Sequence, residues 1–301
     1  MGRIRIGLSS WTDKSLIECG RFYPPGINAS ESRLRFYAQQ FPDLVEVNST
    51  YYGLPAERNS ALWAERTPAD FLFDVKMFSL ITQHPTQPRS LPRDLAAKLD
   101  EETRKKAQIY LNQLPAEIGE EVIARFVQAL RPLQHAGKLG AILFQFPRWF
   151  RAGRPSMEHI AWCQERLADY RMAVEFRSAD WLSDAQRAST LAFLRERGIT
   201  YVCVDEPQGL ASSVPPLTAV TAPALAYVRF HGRRRDAWEK PGVSVQERTQ
   251  YLYQESELRE WVPKIRALAQ EADEVHVLIN TNYEDYPVIN ARQLRLLLGP
   301  A

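Results

Sequence analysis

The stretch Leu44-Val45-Glu46-Val47-Asn48 alternates apolar and polar side chains. This alternation is typical of a β-strand, because successive side chains point to opposite faces. If Val45 and Val47 pack under helices, Glu46 and Asn48 share the other face, with Asn48 at the C-terminal end. The pattern predicts a strand that presents polar groups to an enclosed interior.

Seven further short apolar runs along the chain resemble this one, and most are followed by a stretch of helical periodicity. The predicted strands are 3–8, 44–47, 71–75, 139–144, 172–176, 200–204, 225–230 and 275–279. The predicted helices include 31–40, 57–65, 120–130, 156–168, 183–196, 256–269 and 289–298. Strands that alternate with helices predict a parallel sheet, because a parallel crossover needs a connection of helix length.

Eight such units favour a closed (β/α)8 TIM barrel of a single domain, residues 1–301, over an open doubly wound sheet. No G-x-G-x-x-G follows the first strand, which weakens the dinucleotide-binding alternative. Two connections break the regular pattern. The link 79–119 is long and highly charged, so we expect a helical insertion there as a solvated decoration. The link 206–223 carries four prolines in place of a helix, and we expect it to lie over the barrel mouth.

Composition excludes several classes of protein. Lys and Arg exceed Asp and Glu by only two, 38 against 36, so no global field attracts nucleic acid or an anionic membrane. No apolar run is long enough to span a bilayer. The start lacks a signal-peptide core, and Cys19, Cys163 and Cys203 show no C-x-x-C spacing. We expect a cytoplasmic protein without a bound cofactor, although a divalent metal stays open; the oligomeric state is not indicated.

Strand parity predicts which side chains meet inside the barrel. Active sites of such barrels lie at the C-terminal ends of the strands, where this sequence places most of its inward polar residues. Burying so many polar groups is costly unless they pair or bind a ligand, so together they indicate a site. The predicted catalytic residues are Glu46, Lys76, Glu175, Asp205 and His231. The predicted substrate-binding residues are Asn48, Gln145, Arg177, Arg229, Asn280 and Asn282, with the aromatics Trp11, Tyr51 and Trp181.

The sequence resembles the YecE-like family of proteins of unknown function, whose fold is a TIM barrel, nearly from end to end. The motifs that carry the resemblance are Ile6-Gly7-Leu8-Ser9-Ser10-Trp11, Arg21-Phe22-Tyr23-Pro24, Val45-Glu46-Val47-Asn48-Ser49-Thr50-Tyr51-Tyr52, Phe144-Gln145-Phe146-Pro147, Val174-Glu175-Phe176-Arg177 and Tyr227-Val228-Arg229-Phe230-His231-Gly232. The resemblance implies the barrel fold and a candidate site at its polar motif positions. It implies no substrate. Ser10 stands where the first motif often has Gly.

Three chemical hypotheses fit these residues. The leading one is an enzyme that acts on a small anionic molecule, phosphorylated or carboxylated, which Lys76, Arg177 and Arg229 would hold. Glu46 or Glu175 would then transfer protons, with His231 or Asp205 as the partner. A second hypothesis has Glu46, Glu175, Asp205 and His231 bind a divalent metal for hydrolysis or isomerisation. A third makes Lys76 a Schiff-base nucleophile, against which we expect Asp74 to keep the amine charged.

A rival from another class is a non-catalytic nucleotide or nucleic-acid binder. It would use the basic run Arg233-Arg234-Arg235 and aromatics near strand ends, among them Tyr52, Trp238 and Tyr283. The near-neutral overall charge argues against a nucleic-acid groove but not against a single nucleotide. No HExxH, G-x-S-x-G or P-loop sequence is present, which removes the minimal signatures of three large enzyme classes.

Overall fold

Eight parallel strands close into one barrel in the order of the chain. This computed structural model describes residues 1–167 and 169–299, apart from the side chain of Val245. The strands are β1 (Arg3–Leu8), β2 (Leu44–Val47), β3 (Leu72–Lys76), β4 (Leu139–Phe146), β5 (Met172–Phe176), β6 (Thr200–Asp205), β7 (Ala226–Phe230) and β8 (Glu274–Ile279). β1 pairs with β8 along its whole length, so the sheet has no open edge. The predicted (β/α)8 fold is confirmed.

Helices cover the outside of the barrel between most strands. The α-helices are α1 (Lys14–Glu18), α2 (Ser30–Gln40), α3 (Glu57–Glu65), α4 (Arg93–Ala97), α5 (Glu101–Lys105), α6 (Ala116–His135), α7 (Arg154–Glu165), α8 (Arg187–Glu196), α9 (Arg235–Trp238), α10 (Val245–Arg248), α11 (Glu255–Glu271) and α12 (Tyr286–Leu298). In α6 the buried Val122, Phe126 and Leu130 recur every four residues, so one apolar stripe faces the sheet. All seven predicted helices are present; the helix 57–65 has the predicted ends, and the others are shifted at one or both ends. Ala168, the predicted end of one of them, lies outside the described residues.

The two irregular links, 79–119 and 206–223, differ in how far they match the prediction. The link 79–119 contains α4, α5 and short 3₁₀ turns, so the predicted helical insertion is present. It is not a solvated decoration, because Leu80, Ile81 and Leu95 are buried in the hydrophobic core. The link also brings His84 to the mouth of the barrel. The link 206–223 has no helix in the structure. Our expectation that it lies over the mouth is wrong for its second half. The Cys203 thiol donates a hydrogen bond to the Ala219 carbonyl. The Thr221 hydroxyl donates to the Ile199 carbonyl and accepts from the Tyr201 N–H. That half therefore runs back along the outer face of β6, where a helix is missing.

An irregularity in β4 fixes the lower layer of the barrel. The register between β3 and β4 shifts between Phe73 and Val75, which places one extra residue in β4. The Ala141 N–H freed there donates to Asp74 Oδ1 (2.8 Å), and Asp74 Oδ2 lies 2.9 Å from His276 Nδ1. A Cβ on Gly140 would come within 2.3 Å of Asp74 Oδ1. Glycine is therefore required where the buried carboxylate meets the bulge.

We predict that Gly140→Ala lowers the free energy of unfolding by about 2–4 kcal/mol, since the methyl group must displace a buried, fully bonded carboxylate. Urea denaturation followed by circular dichroism measures the change. Gly53→Ala is the matched control, because a Cβ there meets no atom within 4 Å. Equal stability of the two variants would show that the Asp74 contact tolerates the methyl group.

Candidate functional site

The centre of the barrel holds a buried ion cluster built on one arginine. Arg229 of β7 is 1 % exposed, and its Nε and NH2 donate to the two oxygens of Glu46 at 3.0 and 2.7 Å. Its NH1 donates to Glu175 Oε2. The Tyr227 hydroxyl adds a bond to Glu46 (2.9 Å). Both carboxylates are fully buried, so each depends on these donors for the charge that it carries.

Glu175 of β5 is held as a carboxylate by four donors. Besides Arg229, its Oε1 accepts from Gln145 Nε2 (2.7 Å), His231 Nε2 (2.9 Å) and Arg177 NH1 (3.3 Å). Burial opposes this charge, but Arg229 and the other donors outweigh it and hold the pKa of Glu175 well below its usual range. A carboxylate this fully bonded orients its neighbours rather than exchanging a proton near neutral pH.

His231 is neutral and has a defined tautomer. Burial lowers its pKa to about 4, and the nearby Arg177 also disfavours the charged ring against the attraction of Glu175. Asn280 Nδ2 lies 2.9 Å from His231 Nδ1, and Asn282 Nδ2 donates to Asn280 Oδ1. Nδ1 is therefore the acceptor, and the single ring proton on Nε2 is donated to Glu175.

Above this cluster lies a cavity of about 390 Å³ at the C-terminal mouth of the barrel. A volume of this size suits a small molecule. Nine of the predicted site residues line it: Asn48, Tyr51, Lys76, Gln145, Arg177, Arg229, His231, Asn280 and Asn282. Glu46 and Glu175 lie directly beneath as partners of Arg229. The structure therefore brings together eleven of the fourteen predicted residues.

Asp205 does not belong to the cavity. In the sheet it is the strand partner of Phe230, and like Phe230 it points to the outer face of the barrel. There its carboxylate accepts hydrogen bonds from the Tyr253 hydroxyl and from Trp261 Nε1, both at 2.6 Å. Arg233 also pairs with it at 2.7 Å. The parity prediction for β6 is wrong because both faces of this strand are buried, so the apolar residues do not mark the outer side.

Two predicted aromatic residues are also elsewhere. Trp181 is fully buried, stacks on Phe176 and donates its Nε1–H to the Phe150 carbonyl, so it is part of the packed core. Trp11 lines a neighbouring cavity of about 350 Å³ that shares only Asn48 with the mouth cavity. Neither of these two tryptophans, which we expected to bind the substrate, lines the mouth cavity.

The sequence reasoning missed several cavity residues that lie beyond strand ends. Arg148 and Trp149 follow β4 after Pro147, and proximity to a strand end is the signal that could have found them. His84 comes from the 79–119 insertion, and Arg248 from α10, without such a signal. Glu206, just after β6, pairs with Arg177 at 2.8 Å.

The cations around the mouth differ in their partners. Arg177 contacts both Glu175 and Glu206. In the described part of the chain, Lys76, Arg148 and Arg248 have no carboxylate within ion-pair distance. Burial lowers the pKa of Arg148, as do the charges of Arg177 and Arg248. Arg148 and Arg177 both lie against Trp238, 5.7 and 4.8 Å from its ring centroid.

The positions of the side chains argue against a metal held by Glu46, Glu175, Asp205 and His231, and against anion binding by the basic run 233–235. Glu46 and Glu175 are separated by Arg229, and Asp205 faces away, so the four proposed ligands do not converge. Among the described residues, no group of three His, Cys, Asp or Glu side chains could hold a metal ion. Arg233 pairs with Asp205 and Glu260, and Arg234 with Asp236, so the basic run is largely neutralised.

Comparison with known proteins gives a consistent result. The sequence profile of the family described as "Protein of unknown function DUF72" matches residues 5–301. The UPF0759 protein YunF of Bacillus subtilis is 32 % identical over 298 residues, 98 % of this chain and 94 % of that protein. Crystal structures of DUF72 family proteins are also similar: one from Enterococcus faecalis V583 (TM-score 0.79, 28 % identity, 99 % of this chain and 96 % of that one) and one from Thermotoga maritima MSB8 (TM-score 0.76, 29 % identity, 98 % and 99 %). The YecE-like resemblance is confirmed, since YecE belongs to DUF72.

We predict that His231 makes stability fall on acidification. Its folded pKa of about 4 lies below the ordinary value of 6.5, so the unfolded chain binds a proton that the native protein does not. The stabilisation is complete above pH 6.5 and is lost as the pH falls toward 4. In this window the free energy of unfolding should change with pH more steeply than in His231→Gln, by up to roughly 1.4 kcal/mol per pH unit. Parallel profiles of the two proteins in urea titrations would show that His231 binds no extra proton on unfolding, so that folding does not lower its pKa.

Proposed function

Since the chain belongs to the DUF72 family, whose function is unknown, we propose from the mouth cavity that it is an enzyme acting on a small anionic molecule, phosphorylated or carboxylated. One observation carries the proposal. Lys76, Arg148 and Arg248 line the cavity without a carboxylate partner in the described residues, whereas Glu46 and Glu175 beneath them are fully bonded. Partly buried cations without counter-ions create a site in which an anion is favourable.

The anion would lie at the side of the mouth formed by Arg148, Arg177 and Arg248. Guanidinium groups bind phosphate and carboxylate oxygens in pairs, and the Trp238 ring behind two of them keeps their planes in place. Arg229 would hold the floor of the site rather than the anion, because Glu46 and Glu175 already occupy three of its nitrogen atoms. This revises the anion-binding role that the sequence suggested for Arg229.

Proton transfer is assigned to Lys76 rather than to the two glutamates. Burial, followed by the charge of Arg229, lowers the pKa of Lys76 to about 8, close to the pH at which an acid or base works best in a cell. Glu175 stays ionised and positions Gln145 and His231. A reducing compartment such as the cytoplasm suits the three unpaired cysteine thiols. In the described chain no helix is both long and apolar enough to cross a membrane.

A non-catalytic nucleotide-binding protein is the second candidate function. Tyr52 and Trp149 are 71 % and 58 % exposed at the edge of the same cavity, with Tyr51 and His84 between them. Exposed aromatic rings beside cations suit a base attached to a phosphate. Adenosine monophosphate should then bind more tightly than ribose 5-phosphate, as measured by calorimetry; equal affinities would remove this candidate.

We predict that inorganic phosphate stabilises the protein against heat more than chloride of equal ionic strength, because a ligand that binds the native state raises the unfolding temperature. Arg148→Gln and Arg177→Gln should each weaken phosphate binding roughly tenfold or more, the effect of losing a charge-assisted hydrogen bond. Arg259→Gln is the matched control, since Arg259 lies on the exposed face of α11 and pairs only with Glu255 in the described chain. If all three variants respond to phosphate like the native protein, the ion acts through general charge screening and the anion site does not exist.

A further inference from the structure

Lys76 is placed as a nucleophile would be. It is the last residue of β3, and Thr50 Oγ1 donates to its backbone carbonyl (2.6 Å), which ties it to the turn after β2. Its Nζ lies 2.8 Å from Gln145 Oε1 and 4.6 Å from the centroid of the Tyr51 ring. The amine thus lines the floor of the mouth cavity and is held by one amide oxygen and one aromatic face.

Asp74, which we expected to keep the amine of Lys76 charged, does not pair with it. Asp74 is two residues earlier, but it lies in the layer below, bonded to His276 and to the Ala141 N–H. No carboxylate of the described residues lies within ion-pair distance of Nζ. The amine therefore lacks the direct counter-ion that keeps most lysines protonated.

The charged groups around Lys76 come from four sides of the cavity. Arg229 and Arg177 disfavour its charge, while Glu175 and Glu46 favour it from beneath. His84 faces it from the insertion and is neutral, because burial, with the charge of Lys76, lowers the pKa of this imidazole to about 3. Burial is the largest effect and leaves Lys76 with a pKa of about 8. A useful fraction of the amine is then unprotonated near neutral pH.

We propose that Lys76 Nζ forms an imine with the carbonyl group of an anionic aldehyde or ketone that the arginines of the mouth hold. This inference rests on the proposed anion site and names the substrate class, an oxo acid or a carbonyl-bearing phosphate ester. The lone pair of the neutral amine bonds to the carbonyl carbon as the C=O π bond breaks, and one N–H proton passes from the nitrogen to the oxygen to give a neutral carbinolamine. The hydroxyl group then takes one proton from solvent, the C–O bond breaks, water leaves, and the nitrogen lone pair forms the C=N bond of a protonated imine.

The surroundings suit this product. The protonated imine keeps the positive charge next to the Tyr51 ring face and to Gln145 Oε1, both of which stabilise a cation. The anionic end of the molecule would reach toward Arg148 and Arg177, which line the same cavity. Such an imine draws electrons from the neighbouring carbon, the step that lyases and isomerases of carbonyl compounds require.

The test uses pyridoxal 5-phosphate as an anionic aldehyde probe, followed by borohydride reduction and peptide mass spectrometry. Lys76 should be modified at pH 7 at least about tenfold faster than the exposed Lys105, because the neutral fraction of an amine grows as its pKa falls. The rate should rise with pH and level off above about 8. Lys76→Arg, which keeps the charge but removes the nucleophile, should lose this fast modification.

Two comparisons separate this inference from the proposed anion site. Pyridoxal, which lacks the phosphate, should react with Lys76 about tenfold more slowly, and Arg177→Gln should remove that preference. Phosphate binding with Lys76 no more reactive than Lys105 would overturn the imine while leaving the anion site intact. Fast modification of Lys76 by both probes alike, without phosphate binding, would overturn the anion site and support the nucleophile alone.

Discussion

The bridge from Arg229 to Glu46 and Glu175 is the interaction on which the rest of the site depends. It joins β2, β5 and β7 across the interior, where Glu46 and Glu175 are fully buried and Arg229 is only 1 % exposed, at the floor of the mouth cavity. Removing one partner would leave an uncompensated buried charge, which lowers the free energy of unfolding by about 3–5 kcal/mol. The bridge is therefore as much a constraint on the barrel as a feature of its chemistry.

The bridge also sets the charge distribution of the mouth. Glu46 and Glu175 are bonded to Arg229, Gln145 and His231, and neither forms a direct ion pair with Lys76 above them. The acids form a bonded floor, and the cations Lys76, Arg148 and Arg248 face the cavity. Positive charge therefore surrounds the cavity, while the buried ion pairs beneath it leave the interior electrically satisfied.

The bulge of β4 lies below the ion cluster of Arg229, Glu46 and Glu175 and forms the lowest polar layer of the interior. Asp74, His276 and Ala141 form a separate, buried set of bonds at the other end of the interior. Asp74 is bonded within this lower set and forms no ion pair with Lys76, although the two residues share a strand face. A distance of about two strand residues along the barrel axis is enough to separate Asp74, which bonds to the bulge, from Lys76, which lines the mouth cavity.

The sequence by itself determined the barrel and most of the candidate site, because alternation in β2, β3, β5 and β7 is unambiguous where one neighbour of each polar residue is apolar. Glu46, Lys76, Glu175 and Arg229 follow from that rule. Tertiary structure alone decided the direction of Asp205, since both faces of β6 are buried and a missing helix lets Trp261 and Tyr253 bind the carboxylate from outside. It alone brought His84 and Arg248 to the mouth, because loops are placed by packing and follow no residue period. Which cations lack a counter-ion is likewise a matter of distances between strands far apart in the chain.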